Sequence, residues 1–177
     1  EKHYNKPVDG HAPGLRGKDV KQYIDAGIST DHECFTLDEA LEKISHGMKI
    51  LIREGSAARN FEALHPLLRS HPESCMFCCD DKHPDELLLG HINLHVSKAI
   101  ALGYDLYDVL YAACIHPVMH YNLPVGILRP GDPADFIITK NLADFKPEMT
   151  VINGEVVAEK GSSFLPEKKH HIINNFN

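Results

Sequence analysis

The 177-residue sequence has no tryptophan, few cysteines and no long apolar run. No stretch approaches the roughly 20 apolar residues that a membrane-spanning helix requires, and no signal peptide opens the chain. Lysine and arginine are scattered, and the formal net charge is −7. The chain therefore lacks the clustered basic face with which proteins grip nucleic acid. We expect neither a membrane nor a nucleic-acid partner.

The five cysteines are not spaced as in a disulfide framework. Their number is odd, and three of them, Cys75, Cys78 and Cys79, crowd into one apolar stretch. This pattern favours a reducing, cytoplasmic compartment and cysteines buried in a strand. A structural zinc site usually takes two Cys-x-x-Cys pairs, and the sequence has one.

Four successive units from residue 7 onward each consist of a short apolar run, a polar cluster and an amphipathic stretch. The runs expected as strands are 7–10, 28–31, 48–52 and 74–79. The stretches expected as helices are 17–26, 36–46, 57–68, 91–102 and 105–115, with a short one possible up to residue 121. Alternating short strands and helices indicate parallel β/α units, in either a doubly wound sheet or half a barrel.

Beyond Leu123 the pattern changes to turn signals between short β-rich runs at 135–139, 150–152 and 155–157. Asn153-Gly154 lies between two of these runs and predicts a tight hairpin. We therefore divide the chain into β/α units over residues 1–123, a small all-β piece over 124–160 and a tail over 161–177.

Polar side chains follow each apolar run of the β/α region. They are His11, the pair His32 and Glu33, then Glu54, and finally the pair Asp80 and Asp81. Because the carboxyl ends of parallel strands share one face of a barrel, two imidazoles and several carboxylates should converge there. Imidazole with carboxylate suits a divalent metal such as Zn, Mn or Fe, which lowers the pKa of a bound water to about 7. A neighbouring carboxylate could then move the protons of that water.

Each of these residues also has an ordinary structural role open to it. A single histidine after a strand is often a turn or capping residue, and Asp80-Asp81 could cap the next helix. Glu54 could pair with Arg53 or Arg59, and Glu33 could be a solvated carboxylate. The expected convergence, rather than any one residue, indicates a metal site.

A second pair of histidines, His91 and His95, has the i, i+4 spacing of one helix face. Zinc proteases with the H-E-x-x-H pattern need a glutamate directly after the first histidine, and Ile92 stands there instead. We therefore expect a pair on the helix surface.

Several stretches of the chain are specific enough to indicate a family: VDGHAPG, LRGKDVKQYIDAGISTDHE, GMKILIREGSAARN, MFCCDDKHP and GHINLHVSKAIALG. Over about residues 7–160 the chain closely resembles the adenine deaminases of the metal-dependent amidohydrolase superfamily. A further stretch, GILRPGDPADFIIT, is similar to a signature shared across that superfamily, at the point where the chain leaves the barrel for a small β-sandwich domain.

The resemblance implies an α/β fold that consists of the C-terminal half of a (β/α)8 TIM-type hydrolase barrel and part of the small β-sandwich domain. It implies a metal site, binuclear in the complete enzyme, with His11 as the ligand after the fifth strand and His32 after the sixth. Asp80, after the eighth strand, would be both a metal ligand and the catalytic proton shuttle. Manganese is the metal associated with the family, and iron or zinc can occupy such sites. The positions expected to contact substrate or support the ligands are Glu33, Glu54, Ser56 and Asp81.

The implied reaction is the hydrolytic deamination of adenine to hypoxanthine and ammonia. Superfamily members also carry an H-x-H pair after the first strand and a bridging carboxylate or modified lysine after the fourth, and neither occurs here. A complete barrel takes about 250 residues. We therefore expect an internal fragment that needs a missing N-terminal half of the barrel, is inactive alone and forms homo-oligomers through open sheet edges.

Two alternatives stay open. Another amidohydrolase activity, that of a cyclic amidase or an N-acetyl-sugar deacetylase, would use the same histidine and aspartate ligands, although the stretch IREGSAARN argues against it. A non-catalytic metal-binding module would instead use the histidine-rich surface, since the chain has 13 histidines, and the cysteine cluster. Metal binding that survives substitution of both His11 and Asp80 would favour the module.

Overall fold

The computed structural model describes residues 6–168, which form two separate β-sheets and eight α-helices. The first sheet is parallel, with the order β1-β2-β3, and the second is antiparallel, with the order β4-β5-β6-β7. The strands are β1 (Thr30–Asp31), β2 (Lys49–Arg53), β3 (Cys75–Cys78), β4 (Phe136–Thr139), β5 (Pro147–Ile152), β6 (Glu155–Glu159) and β7 (Ser162–Ser163).

Most helices lie between the strands of the parallel sheet or directly after it. They are α1 (Lys18–Asp25), α2 (Leu37–Ser45), α3 (Phe61–Leu64), α4 (Leu67–Ser70), α5 (Pro84–Leu87), α6 (Ile92–Ala101), α7 (Leu106–Leu110) and α8 (His116–His120). A 3₁₀ turn, Pro72–Ser74, precedes β3, and a π-helical turn, Tyr111–Ile115, joins α7 to α8. Among residues 6–168, no helix combines the length and the apolar character needed to cross a bilayer.

The parallel sheet places the expected apolar runs side by side. Residues 7–10 do not form a strand, and Val8 instead makes one isolated parallel bridge with Ile28. The order from this bridge through β1 and β2 to β3 follows the order of the chain. The carboxyl ends of the runs therefore lie along one edge, as the β/α pattern predicts.

The core lies between this sheet and the helices that follow its strands. Ile50 and Ile52 of β2 are fully buried, and α2, α3 and α6 pack against β2 and β3. In α2, Ala40 is buried in the core and Leu37 and Ile44 pack against it, as the helical spacing of the sequence predicts.

One predicted helix is interrupted in the structure. Residues 57–68 were expected to form a single helix, but α3 begins only at Phe61 and ends at Leu64. Pro66 then begins the next turn, and α4 starts at Leu67. His65 and Pro66 keep helical φ and ψ angles, but proline has no N–H to donate, so the ladder of helical hydrogen bonds is interrupted at Pro66.

The expectation for His95 was wrong. His91 is exposed, but His95 is only 1% exposed and lies beside the rings of Phe77 and Phe61. Its Nε2 is 3.0 Å from the carbonyl oxygen of Cys78, so the ring donates to the end of β3. Burial lowers the pKa of His95 to about 4. The neutral ring is buried with this one hydrogen bond, and its Nδ1 atom has no partner among the described residues, an arrangement that periodicity alone does not reveal.

The cysteines are placed as the sequence indicates. All five cysteines lie within the described residues and none forms a disulfide. Burial raises the pKa of the Cys75 and Cys78 thiols in β3 to about 12.

Strands β5 and β6 pair through a turn in which Asn153 and Gly154 both have positive φ angles, as an Asn-Gly hairpin requires.

Candidate metal centre

Three side chains with metal-ligating atoms meet at the carboxyl ends of the parallel runs: His11, His32 and Glu33. The Nδ1 atom of His11 lies 3.2 Å from the Nε2 atom of His32. Glu33 Oε1 lies 3.9 Å from each of these two nitrogens. Two imidazole nitrogens and a carboxylate oxygen form a donor set that suits Zn, Mn or Fe.

The segment around His11 is held close to β1. A Cβ atom at Gly10 would lie 2.2 Å from the carbonyl oxygen of Thr30, so only glycine permits this approach. The Thr30 hydroxyl accepts the N–H of Gly10 at 3.2 Å, and the Tyr23 hydroxyl accepts the N–H of His11 at 3.0 Å. These contacts present the His11 ring to solvent, with 64% of its side chain exposed, while the Glu33 side chain is only 10% exposed.

Arg53, the last residue of β2, joins this cluster to the end of β3. Its guanidinium is buried, and its Nη1 contacts the carboxylate of Glu33. Its Nη2 lies 2.7 Å from Asp80 Oδ2 and 3.0 Å from Asp81 Oδ1. One guanidinium therefore gathers three carboxylates from two strand ends. From the sequence, Arg53 was expected only as a partner for Glu54.

Asp80 lies at the turn after β3 and contacts Arg53. Its φ of 41° is in the left-handed region, which aspartate tolerates better than most residues. Its carboxylate is not within the close group formed by His11, His32 and Glu33, as far as residues 6–168 are described. With 43% of its side chain exposed, Asp80 is reached by water on one side and held by Arg53 on the other.

Asp81 ties the loop after β2 to the same guanidinium. Its carboxylate accepts the N–H groups of Ser56 at 3.1 Å and Ala57 at 3.0 Å. The hydrogen bond from Arg53 is the largest of several contacts that lower the pKa of Asp81. A Cβ atom at Gly55 would lie 1.8 Å from Asp81 Oδ1, so the loop reaches the carboxylate only because residue 55 has no side chain.

Glu54 and Ser56 lie beside the cluster and are engaged elsewhere. Glu54 Oε2 is 3.6 Å from Lys98 Nζ, so the glutamate pairs with α6 rather than with a neighbouring arginine. The Ser56 hydroxyl donates to Glu86 at 2.6 Å and accepts the N–H of His83 at 2.8 Å. Both residues fasten the segments after β3 to the loop after β2.

A buried charged group below the histidines had not been predicted. Lys43 of α2 is 1% exposed, and its ammonium lies 2.6 Å from Asp31 and 2.6 Å from Glu39. The sequence Thr36-Leu37-Asp38-Glu39 has the pattern of a capping box, in which the Glu39 carboxylate would accept the N–H of Thr36. The Thr36 hydroxyl accepts the N–H of Glu39 at 3.3 Å, but the Glu39 carboxylate accepts the N–H of Phe35 at 3.1 Å and contacts Lys43 instead. In the sequence, the position of Lys43 beside the apolar residues of α2 was the feature that could have indicated a buried charge.

A small cleft with a cavity volume of about 20 Å³ adjoins the cluster. Its lining includes two members of the cluster and the arginine that contacts it, and consists of His32, Glu33, Cys34, Phe35, Arg53, Ala58, Arg59 and Asn60. The Glu33 carboxylate thus borders a cleft with room for about one water molecule.

The sequence matches the model of the Amidohydrolase family over residues 1–157. Curated adenine deaminases from Borreliella burgdorferi, Sulfurovum sp. and Salinibacter ruber are 57%, 62% and 55% identical to it, over 98%, 87% and 97% of this chain. The matched parts make up 32%, 29% and 32% of those proteins. The chain thus spans about a third of the length of the curated relatives it matches.

Two solved structures share the fold. They are crystal structures of the beta-aspartyl dipeptidase from the thermophilic, keratin-degrading Fervidobacterium islandicum AW-1, one of them in complex with a beta-Asp-Leu dipeptide. Their TM-scores are 0.66 for the complex and 0.67 for the other, each over 91% of this chain, which covers 50% and 48% of theirs. The sequence identities of 15% and 16% limit this likeness to the fold.

Proposed function

Because the chain belongs to the amidohydrolase family, we propose that it carries metal ligands and the proton shuttle of an adenine deaminase, which hydrolyses adenine to hypoxanthine and ammonia. The observation that carries this proposal is the convergence of His11, His32 and Glu33 in a chain that is 50% to 62% identical to curated adenine deaminases. This identity favours adenine over the substrates of a cyclic amidase or an N-acetyl-sugar deacetylase.

The proposal includes a larger architecture. Residues 1–123 would form the C-terminal half of a (β/α)8 barrel, and residues 124–160 would form part of a small β-sandwich domain. The consecutive order of the parallel runs and the similarity to half of the dipeptidase chain support this division. Residues 161–177 would lead out of the sandwich, and of these, 169–177 lie outside the described residues. The rest of the barrel would complete the site.

The residues present fit a divalent cation. Three carboxylates, those of Glu33, Asp80 and Asp81, surround the single guanidinium of Arg53, which leaves two negative charges unbalanced beside two imidazoles. His11 and His32 would hold the cation, with Asp80 as a further ligand. We propose manganese, with iron or zinc as substitutes and a binuclear site in the whole protein. When bound, such a cation lowers the pKa of water at the site to about 7.

The chain's own residues would then move protons and orient the purine. Asp80, held by Arg53 but open to solvent, would accept a proton from the attacking water and pass it to the exocyclic nitrogen that leaves C6 as ammonia. Glu33 lies beside the two histidines and would contact the purine ring in the site that the rest of the barrel completes. Asp81 would keep Arg53 in place, while Glu54 and Ser56 would shape the rim of the site.

The first test is a chimera in which this chain replaces the matching third of the Borreliella burgdorferi relative. The chimera, loaded with manganese, is offered adenine, a cyclic amide, an N-acetyl sugar and a β-aspartyl dipeptide. We expect ammonia from adenine alone and none from the isolated 177-residue chain. Turnover of another member of the panel, with adenine untouched, would move the assignment to a different amidohydrolase.

A further inference from the structure

The two segments that carry the histidines are joined by a buried group of charges formed by Asp31, Glu39 and Lys43. Asp31 directly precedes His32, and its Oδ1 accepts the N–H of Ala12 at 3.3 Å and the N–H of Glu33 at 2.9 Å. The carboxylate that begins the His32 segment therefore also holds the residue that follows His11.

Lys43 adds a second connection between the same segments. Its ammonium donates to the carbonyl oxygen of Ala12 at 2.7 Å and to Asp31 Oδ2 at 2.6 Å. The N–H of Ala12 is thus bonded to Asp31, and its carbonyl oxygen is bonded to Lys43. Ala12 lies 31 residues before Lys43, so α2 reaches back across β1 to the segment of His11.

Glu39 repeats the connection one turn earlier on α2. Its Oε1 accepts the N–H of Gly14 at 2.8 Å as well as the Lys43 ammonium, and its Oε2 accepts the N–H of Phe35. Gly14 lies beyond His11 and Phe35 lies beyond His32. Each carboxylate of the buried group therefore contacts both histidine segments.

We propose that Lys43 is a positioning residue that sets the separation of His11 and His32 by clamping their two segments together. The inference rests on the proposed function in one respect, since it takes these histidines to be metal ligands. Lys43 itself touches neither metal nor substrate in this account. It acts through Ala12 and Asp31.

The charge on Lys43 is suited to this role. Burial alone would lower its pKa, but the hydrogen bonds to Asp31 and Glu39 outweigh that effect and the pKa is raised. Removing only the lysine would leave two buried carboxylates without their cation, which is by itself strongly destabilising. The double variant Lys43→Met with Glu39→Gln removes one charge of each sign and leaves Asp31 with its two backbone donors.

The first readout is hydrogen exchange of the backbone amides and needs no metal. In the double variant, the Ala12 amide should lose protection by about tenfold, because its segment is no longer held by Lys43, while amides of β2 keep theirs. The control is Leu64→Ala, which removes a fully buried side chain far along the chain from both segments. Unchanged protection at Ala12 in the double variant, or an equal loss in the control, would overturn the proposal.

The second readout is titration with Co²⁺, followed by its visible absorption. We expect the double variant to bind Co²⁺ about 10- to 100-fold more weakly than the unchanged chain and with an altered spectrum, whereas Leu64→Ala keeps both. Native affinity and spectrum in the double variant would contradict the role of Lys43. If the single variant His11→Ala binds Co²⁺ as tightly as the unchanged chain, the metal proposal fails instead. The hydrogen-exchange experiment then still decides whether Lys43 holds the two segments together.

Discussion

The Nδ1 atom of His11 and the Nε2 atom of His32 lie 3.2 Å apart although 21 residues separate them in the chain. Each follows one of two neighbouring parallel runs, joined where Val8 bridges to Ile28. Their proximity is thus a product of parallel pairing, which aligns the ends of the runs along one edge of the sheet.

The two histidines should bind metal as one unit. His11→Ala and His32→Ala should each weaken Mn²⁺ binding by about 100-fold or more, because the loss of a ligand exceeds the 10- to 100-fold effects of outer contacts. Isothermal titration measures this, with His46→Ala as a control, since His46 is an exposed residue at the end of α2. Equal effects from all three variants would mean that metal binds elsewhere on the histidine-rich surface.

Arg53 should be needed for folding in the absence of metal. In Arg53→Met, the carboxylates of Glu33, Asp80 and Asp81 lose their shared cation, and the free energy of unfolding should fall by about 3 kcal/mol. Urea unfolding measures the loss, and added Mn²⁺ should recover part of it because a divalent cation can take over the role of counter-charge.

The control for that change is Arg59→Met, which breaks an exposed ion pair with Glu86 and should cost less than about 1 kcal/mol. A similar loss in both variants, or a loss in Arg53→Met that Mn²⁺ does not alter, would contradict the picture of carboxylates gathered around one charge.

Gly10→Ala should disturb the site through the backbone. The new methyl group would lie 2.2 Å from the carbonyl oxygen of Thr30, so the segment of His11 must move away from β1. We expect a loss of about 1–3 kcal/mol in urea unfolding together with weaker Mn²⁺ binding. Gly47→Ala is the matched control: its φ of 89° makes alanine strained there, but the space around it is open. Gly47→Ala should lose stability without losing metal affinity. If Gly10→Ala keeps its metal affinity, the close approach of residue 10 to Thr30 is not needed for the site.

His95 should make stability depend on pH. Its folded pKa of about 4 lies below the usual 6.5, so between these values the unfolded chain binds a proton that the folded chain does not. Stability should therefore fall as the pH drops from 6.5 to 4, by up to about 3 kcal/mol from this group. His95→Gln can keep the hydrogen bond to Cys78 and should flatten this part of the pH profile, whereas His46→Gln should not. If stability depends on pH in the same way in His95→Gln as in the unchanged chain, His95 is not the group responsible.

The sequence was sufficient for the features that depend on local pattern. The spacing of Leu37, Ala40 and Ile44 predicted α2, and Asn153-Gly154 predicted the β5–β6 hairpin, because each rests on contacts between residues close in the chain. The sequence also indicated that polar residues gather at the ends of the parallel runs, and the structure brings His11, His32 and Glu33 together there.

The features that the sequence did not reveal depend on distant contacts. Lys43 looks like an ordinary helix residue until α2 packs beneath the segment of Ala12, and only then does its ammonium find three oxygen partners. Arg53 gains its role from two carboxylates contributed by the end of β3. Lys43 reaches Ala12, 31 residues away, and Arg53 reaches Asp80 and Asp81 at the end of the next strand. No helical or strand periodicity extends over such distances in the chain.

The rate of hypoxanthine formation by the manganese-loaded chimera, with and without Asp80→Asn and per manganese bound, decides whether this chain carries part of a deaminase site. We predict that the chimera deaminates adenine and that Asp80→Asn lowers the rate by about 10²- to 10⁴-fold, beyond any change in bound manganese. A chimera that binds manganese through His11 and His32 but leaves adenine unchanged, or an Asp80→Asn variant with its full rate, would contradict it.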